Sequence, residues 1–292
     1  MSLSELLQVF PVAEDMQLGL TDREFDARLD RHWFSCEKHQ RNFNQVLYGG
    51  QVFAQAIAAS LQTVDEKFLL HSASASFLRP GSDAAPVQYE VIILRDGRSV
   101  VSRTVQAWQQ DKLILTMQLS FHKSEPGYHH QPNYKPSISP SSTDFSIVNS
   151  RLDPQGIVAP FDLGSSADCP LRSVDKQSQS ADLWIRCREN LQGVKRRPHS
   201  LALAYASDLT LLATALLPHE TSLFSKSVMA ASITHHMWFH DHDFSSSEWL
   251  LFAMNSPWSG SARGFCRGEF YTEQGKLIAS VVQEGLIRPL SR

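Results

Sequence analysis

The stretch that decides the fold is Leu201-Ala-Leu-Ala-Tyr-Ala-Ser-Asp-Leu-Thr-Leu-Leu-Ala-Thr-Ala-Leu-Leu217. Apolar residues occupy nearly every side of it, which predicts a buried helix rather than a surface helix. Its one acid, Asp208, would lose its water there, and burying an ionised carboxylate without partners costs several kcal/mol. We therefore expect Asp208 to have a functional role, the alternative being a hydrogen bond to a neighbouring loop.

A second small-residue stretch, Gly49-Gly-Gln-Val-Phe-Ala-Gln-Ala-Ile-Ala-Ala-Ser-Leu61, begins with two glycines and also predicts a helix. Each stretch is followed, at a nearly constant offset, by strand-like segments separated by turn residues. The first half has predicted strands at 71–77, 87–94, 99–109 and 112–121, with turns at Asp96-Gly97 and Gln110-Asp111. The second half has predicted strands at 230–239, 249–255, 260–273 and 276–286, with turns at Ser256-Pro257 and Gln274-Gly275.

This repeat predicts an α+β fold, a double hotdog in which each of two helices is wrapped by a curled antiparallel sheet. Pairing the two sheets edge to edge would remove two exposed edges. Residues 1–123 would form the N-terminal hotdog and residues 181–292 the C-terminal one, which contains Asp208. Residues 124–180 hold half of the chain's 14 prolines and predict a linker with room for short strands.

Composition excludes several classes of protein. A hydrophobic content of 42% with 20% charged residues describes a globular chain with a core, and a net charge of −3 argues against a nucleic-acid partner. No apolar run approaches the roughly 18–20 residues of a membrane span. Four cysteines without a Cys-x-x-Cys pair suit free thiols in a reducing compartment. With no signal-peptide pattern and no terminal Ser-Lys-Leu, we expect a cytoplasmic protein.

Eight short motifs, three in the first half and five in the second, carry a family resemblance. They are Tyr48-Gly-Gly-Gln51, Phe77-Leu-Arg-Pro-Gly81, Leu94-Arg-Asp-Gly97, Tyr205-Ala-Ser-Asp208, Met237-Trp-Phe-His240, Ser261-Ala-Arg-Gly-Phe265, Arg267-Gly-Glu-Phe-Tyr271 and Val282-Gln-Glu-Gly285. In this order and spacing the chain resembles the acyl-CoA thioesterase II family, which includes the bacterial TesB-type enzymes. The resemblance covers about residues 30–123 and 198–289.

The resemblance implies a double hotdog that hydrolyses acyl-CoA to free acid and CoA. The family's catalytic aspartate, hydroxyl and glutamine would be Asp208, Ser232 and Gln283, the serine standing where many bacterial members have threonine. Together these residues would activate a water molecule, with Asp208 as the general base. Thr234 would share a strand face with Ser232 and is the weaker candidate for the hydroxyl.

The same resemblance leads us to expect medium- to long-chain fatty acyl-CoA as substrate, no cofactor, no metal, and a homo-oligomer, either a dimer or a tetramer. The first repeat has Gln51 or Gln55 in place of Asp208 and Leu119 in place of Gln283, so we expect one active site per chain. The residues expected to bind substrate lie in the first half: Gly50, Gln51, His71 and Arg79.

Three alternatives remain open. His236, His240 and His242 would share a strand face, but their spacing matches no standard metal motif. A hotdog enoyl-CoA hydratase or dehydratase would need a histidine paired with its acid, and the fifth residue after Asp208 is Ala213. A non-catalytic acyl-CoA-binding module would keep the fold without needing the Asp, Ser and Gln positions.

Overall fold

The computed structural model describes residues 2–13, 29–42, 45–149, 160–166, 169–191, 193, 195–223, 225 and 227–290, and of Arg172 only the backbone. The chain divides into two compact units, Met1–Gly127 and Tyr128–Arg292. The predicted linker, residues 124–180, therefore falls mostly within the second unit, and two strands of that unit's sheet come from it. Each unit is described below by itself.

The first unit is an antiparallel sheet with one long helix on its face. Its elements in the described residues are α1 (Leu3–Leu6), β1 (Phe10–Pro11), β2 (Arg31–Cys36), α2 (Gly49–Leu61), β3 (Leu69–Phe77), β4 (Val87–Asp96), β5 (Val100–Gln109) and β6 (Lys112–His122). The strand order is β1-β2-β4-β5-β6-β3. Helix α2 packs against β3 to β6, and every residue from Gly50 to Leu61 is buried, as the small-residue sequence predicts.

The second unit has the same plan with more strands. Its elements in the described residues are β7 (Phe145–Ile147), β8 (Phe161–Ser166), a 3-10 turn (Pro170–Arg172), β9 (Ser180–Cys187), α3 (Arg196–Ala206), a 3-10 helix (Leu211–Leu216), β10 (Val228–Phe239), β11 (Leu250–Gly260), β12 (Arg263–Thr272) and β13 (Leu277–Pro289). The strand order is β10-β13-β12-β11-β9-β8-β7, with antiparallel neighbours. The 3-10 helix packs on β11, β12 and β13.

Both units repeat one topology, which extends the repeat seen in the sequence. The order β3-β6-β5-β4-β2 in the first unit matches β10-β13-β12-β11-β9 in the second. Sequence reasoning missed the last strand of each series, β2 and β9, which precede the helices. A usable signal was present, because Trp33 and Cys36 have the same spacing as Trp184 and Cys187.

The prediction of one helix over 201–217 is wrong. Helix α3 ends at Ala206, a turn follows, and the chain resumes as the 3-10 helix from Leu211. Ser207, Asp208 and Thr210 explain the break, because short polar side chains compete for backbone hydrogen bonds. The Ser207 hydroxyl, for example, lies 2.8 Å from the carbonyl oxygen of Ala204.

The turn predicted at Ser256-Pro257 is also wrong. Strand β11 continues through Pro257 to Gly260, and a bulge between Asn255 and Trp258 absorbs the proline, which cannot donate to the ladder. The hairpin turn lies at Ser261-Ala262, where both residues have positive φ of 50° and 59°, as a tight hairpin requires.

Two glycines let the 3-10 helix lie directly on the sheet. Gly264 of β12 and Gly285 of β13 are paired across the strands. A β-carbon on Gly264 would lie 2.4 Å from Cβ of Ala215, and one on Gly285 would lie 2.6 Å from a methyl of Leu212. Both distances are shorter than any van der Waals contact, so a side chain at either position would push the helix away from the sheet.

Replacing Gly264 by alanine tests this close approach. We expect Gly264→Ala to destabilise the second unit by about 1–3 kcal/mol, because neither the added methyl nor that of Ala215 can rotate away. Thermal unfolding followed by circular dichroism should show a melting temperature lower by several degrees. Gly127→Ala is the matched control, since a β-carbon there meets no atom within 4 Å. Equal melting temperatures for the two variants would contradict the prediction.

Candidate active site

Three separate elements of the second unit bring the predicted catalytic side chains together. Asp208 lies in the turn after α3, Ser232 lies on β10, and Gln283 lies on β13. Strands β10 and β13 are hydrogen-bonded neighbours, so Ser232 and Gln283 are held by one ladder. The turn is held over this ladder by the 3-10 helix that follows it.

A β-bulge in β10 decides which side chains face inward. The register pairs Ser232 with Gly285 but Thr234 with Glu284, so one extra residue, Ile233, is accommodated between them. Side-chain alternation therefore changes phase at the bulge. Thr234 does not share a face with Ser232, contrary to our prediction, because it pairs with Glu284, whose carboxylate meets Arg263 at 3.1 Å on the outer face.

The three side chains form a closed set of hydrogen bonds. The Gln283 amide nitrogen donates to Oδ1 of Asp208 at 2.7 Å and lies 2.6 Å from Oγ of Ser232. The Ser232 hydroxyl donates to the same carboxylate oxygen at 3.1 Å. Since the two amide hydrogens serve two different acceptors, the geometry fixes the carboxylate and the hydroxyl relative to each other.

Burial differs among the three residues. Gln283 is fully buried, whereas Asp208 and Ser232 are partly exposed. The sequence predicted a carboxylate inside an apolar helix, and the helix break places it instead where water can reach it. The set therefore has a buried anchor and two polar groups that an incoming molecule can contact.

Two buried residues beside the set were missed by sequence reasoning about catalysis. His235 is fully buried and is paired in register with Gln283, and its Nε2 lies 2.8 Å from Oγ of Ser207. Burial lowers the pKa of His235 to about 3, although the neighbouring Gln283 side chain acts in the opposite direction. The sequence marked Ser207 and His235 only by their nearness to predicted catalytic residues. Ser207 directly precedes Asp208, and His235 lies three residues after Ser232.

The residues predicted to bind substrate all lie in the first unit. Gly50 is in the first turn of α2, and Gln51 bonds the backbone of Gln40 and Lys38, each at 2.7 Å. His71 lies 2.8 Å from the hydroxyl of Ser120. Arg79 donates to the carbonyl of Leu113 at 2.8 Å. These contacts give Gln51 a structural role, and the substrate contacts of all four residues stay predictions.

The histidines considered for a metal site have other contacts. His240 lies 2.9 Å from the Ser280 hydroxyl, His242 lies 3.0 Å from that of Ser200, and His236 stacks on Trp238. Across the described parts of the chain, no group of three histidine, cysteine or acidic residues is placed to hold a metal ion. No helix in those parts is long and apolar enough to cross a membrane.

Known structures place these units in a fold class. A protein with a hot dog fold from Alicyclobacillus acidocaldarius matches with a TM-score of 0.72 and 16% identity, over 91% of this chain and 96% of that one. The crystal structure of acyl-CoA thioesterase II TesB2 from Mycobacterium marinum matches with a TM-score of 0.74 and 27% identity, over 100% of this chain and 98% of that one. The chain thus has the hotdog fold of thioesterases.

Sequence comparisons then identify the family. Residues 171–286 match the acyl-CoA thioesterase family, and residues 39–122 match the acyl-CoA thioesterase N-terminal domain. Acyl-CoA thioesterase 2 of Haemophilus influenzae is 33% identical over 89% of this chain and 94% of its own length. Acyl-coenzyme A thioesterase 8 of Homo sapiens is 30% identical over 93% and 87%. The chain belongs to the acyl-CoA thioesterase family, and it is a thioester hydrolase.

The low pKa of His235 predicts how stability depends on pH. An unfolded histidine has a pKa of about 6.5, whereas folded His235 has a pKa of about 3. Between these values the unfolded chain binds one more proton than the folded chain at this residue. The free energy of unfolding therefore falls as the pH drops below 6.5, by up to about 1.4 kcal/mol per pH unit.

We expect the His235→Asn variant to lose this contribution. Its free energy of unfolding, measured by urea titration between pH 6.5 and 4.5, should fall less steeply with acid than that of the unmodified protein. His129→Gln controls for the loss of an imidazole, because His129 is exposed. Parallel pH curves for the unmodified protein and His235→Asn would refute the prediction.

Proposed function

We propose that this chain hydrolyses medium- to long-chain fatty acyl-CoA to the free fatty acid and CoA, with Asp208, Ser232 and Gln283 as its catalytic residues. One observation carries the proposal, the closed hydrogen-bonded set that joins these three side chains. A carboxylate held by two donors and open on one side has the chemistry of a general base for water.

Because a thioester carbonyl is already electrophilic, its hydrolysis needs a positioned and partly deprotonated water rather than a covalent acyl-enzyme intermediate. In the proposed mechanism a water molecule hydrogen-bonded to Asp208 and Ser232 attacks the thioester carbonyl carbon, and Asp208 accepts its proton. The tetrahedral intermediate then collapses, the carbon–sulfur bond breaks, and the proton passes to the departing CoA thiolate. Gln283 keeps the carboxylate and the hydroxyl in line, which is a contribution of proximity.

The substrate's acyl chain would lie beside α3 and the 3-10 helix. Residues flanking Asp208 on both sides are buried and apolar, among them Leu203, Tyr205, Leu211 and Leu212. The candidate donors for the oxyanion are backbone N–H groups, because both hydrogens of the Gln283 amide are directed at Asp208 and Ser232. Gly50, Gln51, His71 and Arg79 remain the residues proposed to bind substrate, and the positive charge of Arg79 would suit a phosphate of CoA.

The double hotdog, the number of active sites, the cellular location and the oligomeric state are part of the same proposal. Each unit would be one hotdog of a double hotdog, which the repeated strand order supports. One active site per chain is expected, because Leu119 of the first unit is a buried apolar residue. Four buried cysteines without disulfides favour a cytoplasmic location. Assembly as a homo-oligomer, a dimer or a tetramer, stays a prediction.

The function is tested by release of thiol from palmitoyl-CoA. We expect the Asp208→Asn variant to lose about 10²–10⁴-fold in kcat, because an amide cannot accept the proton from water. Gln283→Leu and Ser232→Ala should also lose activity, whereas Ser232→Thr keeps the hydroxyl and should remain active. Asp111→Asn is the matched control, since Asp111 is an exposed acid in a hairpin turn of the first unit.

The outcomes separate the competing functions. Full activity in Asp208→Asn would refute the proposed base. Binding of palmitoyl-CoA without thiol release from the unmodified protein would indicate a binding module. Hydration of an enoyl-CoA without thiol release would indicate a hydratase.

The preference for chain length is tested with a series of acyl-CoA substrates from about C4 to C18. We expect kcat/KM to rise from the short chains to the medium and long ones, because each methylene buried against apolar residues contributes about 0.8 kcal/mol to binding. Equal or falling kcat/KM across the series would contradict the proposed substrate class.

A further inference from the structure

His235 and Gln283 form a buried pair that the mechanism above leaves without a role for the histidine. They are directly opposite each other in the register of β10 and β13, and both are fully buried. The bulge at Ile233 brings Ser232 and His235 to the same inner face although they are three residues apart. The histidine ring therefore lies beside the Gln283 side chain across the ladder, and the two side chains interact.

The orientation of the Gln283 amide matters because its two ends differ. With the nitrogen toward Asp208 and Ser232, both acceptors receive a hydrogen. In the opposite orientation the amide oxygen would face a carboxylate oxygen, an acceptor against an acceptor. A neighbour that donates a hydrogen to the amide oxygen would select the first orientation, since it could not bond an amide nitrogen in the same way.

Whether His235 can donate a hydrogen to Gln283 depends on which ring nitrogen carries it, and the hydrogen bond with Ser207 decides this. The Ser207 hydroxyl has one hydrogen, and it lies 2.8 Å from both the Ala204 carbonyl and Nε2 of His235. If the serine donates to Ala204, the ring is protonated at Nε2, and its bare Nδ1 has no hydrogen to give to the amide oxygen. If the serine donates to Nε2, the ring carries its hydrogen on Nδ1 and can donate it to that oxygen.

We propose that His235 is a positioning residue that holds the Gln283 amide in its working orientation, donating Nδ1–H to Oε1 while Ser207 donates to Nε2. This rests on the proposed function of Asp208, Ser232 and Gln283. His235 itself exchanges no proton with substrate. The ring stays neutral at ordinary pH, because burial lowers its pKa to about 3. The support for the amide is therefore independent of pH in the range where the enzyme would act.

The first test reads the tautomer and needs no activity. Protein labelled with nitrogen-15 in its histidine rings should show His235 protonated at Nδ1, the resonance being assigned by its loss in His235→Asn. In Gln283→Leu the acceptor for Nδ1–H is gone, and we expect the hydrogen to move to Nε2. A ring protonated at Nε2 in the unmodified protein would overturn the proposal, whether or not the chain hydrolyses acyl-CoA.

The second test uses three replacements at one position. At position 235, asparagine places its amide nitrogen near the position of the histidine Nδ1, and glutamine places its own near that of Nε2. Phenylalanine keeps an aromatic ring but has no hydrogen-bonding group. We expect His235→Phe and His235→Gln to lower kcat for palmitoyl-CoA by about 100-fold with little change in KM, because the set is no longer aligned. His235→Asn should keep kcat within a few-fold of the unmodified enzyme.

The control is His199→Asn, which removes another buried histidine that contacts a serine hydroxyl, at 3.1 Å from Ser246. It should lower the melting temperature without lowering kcat. Equal loss of kcat in His235→Asn and His235→Gln would show a role in packing only and would overturn the proposal. If Asp208→Asn is fully active, the proposed function fails, and the tautomer measurement still decides the support of Gln283.

Discussion

The close approach of the 3-10 helix to strands β12 and β13 is the constraint on which the site of the second unit depends. It exists because Gly264 and Gly285 present no side chains under Ala215 and Leu212. The helix holds the turn before it, and that turn carries Asp208. Gly285 is also paired with Ser232 and lies two residues from Gln283. The contact of the two glycines with the 3-10 helix fixes how close that helix lies to the sheet. It therefore also fixes the distance from the Asp208 carboxylate to Ser232 and Gln283.

The first unit shows what the same topology does without those glycines. Register places Phe121 opposite Leu70 and Val101, just as Gly285 is opposite Ser232 and Gly264. Phe121 is fully buried, so a large apolar side chain stands in the first unit at the position that Gly285 has in the second. Helix α2 runs without a break from Gly49 to Leu61. Glutamine side chains on α2 bond the protein's own groups, as Gln55 does with Tyr89 at 2.5 Å.

Sequence patterns predicted the repeat, most strands and the three members of the candidate site, because alternation, turn residues and family motifs are local signals. They did not predict the break after Ala206, since the apolar pattern of 201–217 continues across it and only tertiary packing makes a turn favourable there. The bulge at Ile233 was missed for a similar reason. A single extra residue leaves the hydrophobic pattern almost unchanged, yet it places Thr234 on the face opposite Ser232.

That bulge has a counterpart in the first unit, where the register of β3 shifts between Leu70 and Ser72. His71 and Ile233 each precede by six positions the phenylalanine that ends their strand. The irregularity is thus a property of the repeated architecture, present in the unit with the candidate site and in the unit without it. Because side-chain alternation changes phase at a bulge, the inward-facing residues before the bulge are set separately from those after it. Gaining or losing a single amino acid there would exchange interior for surface on one side while leaving the other side intact.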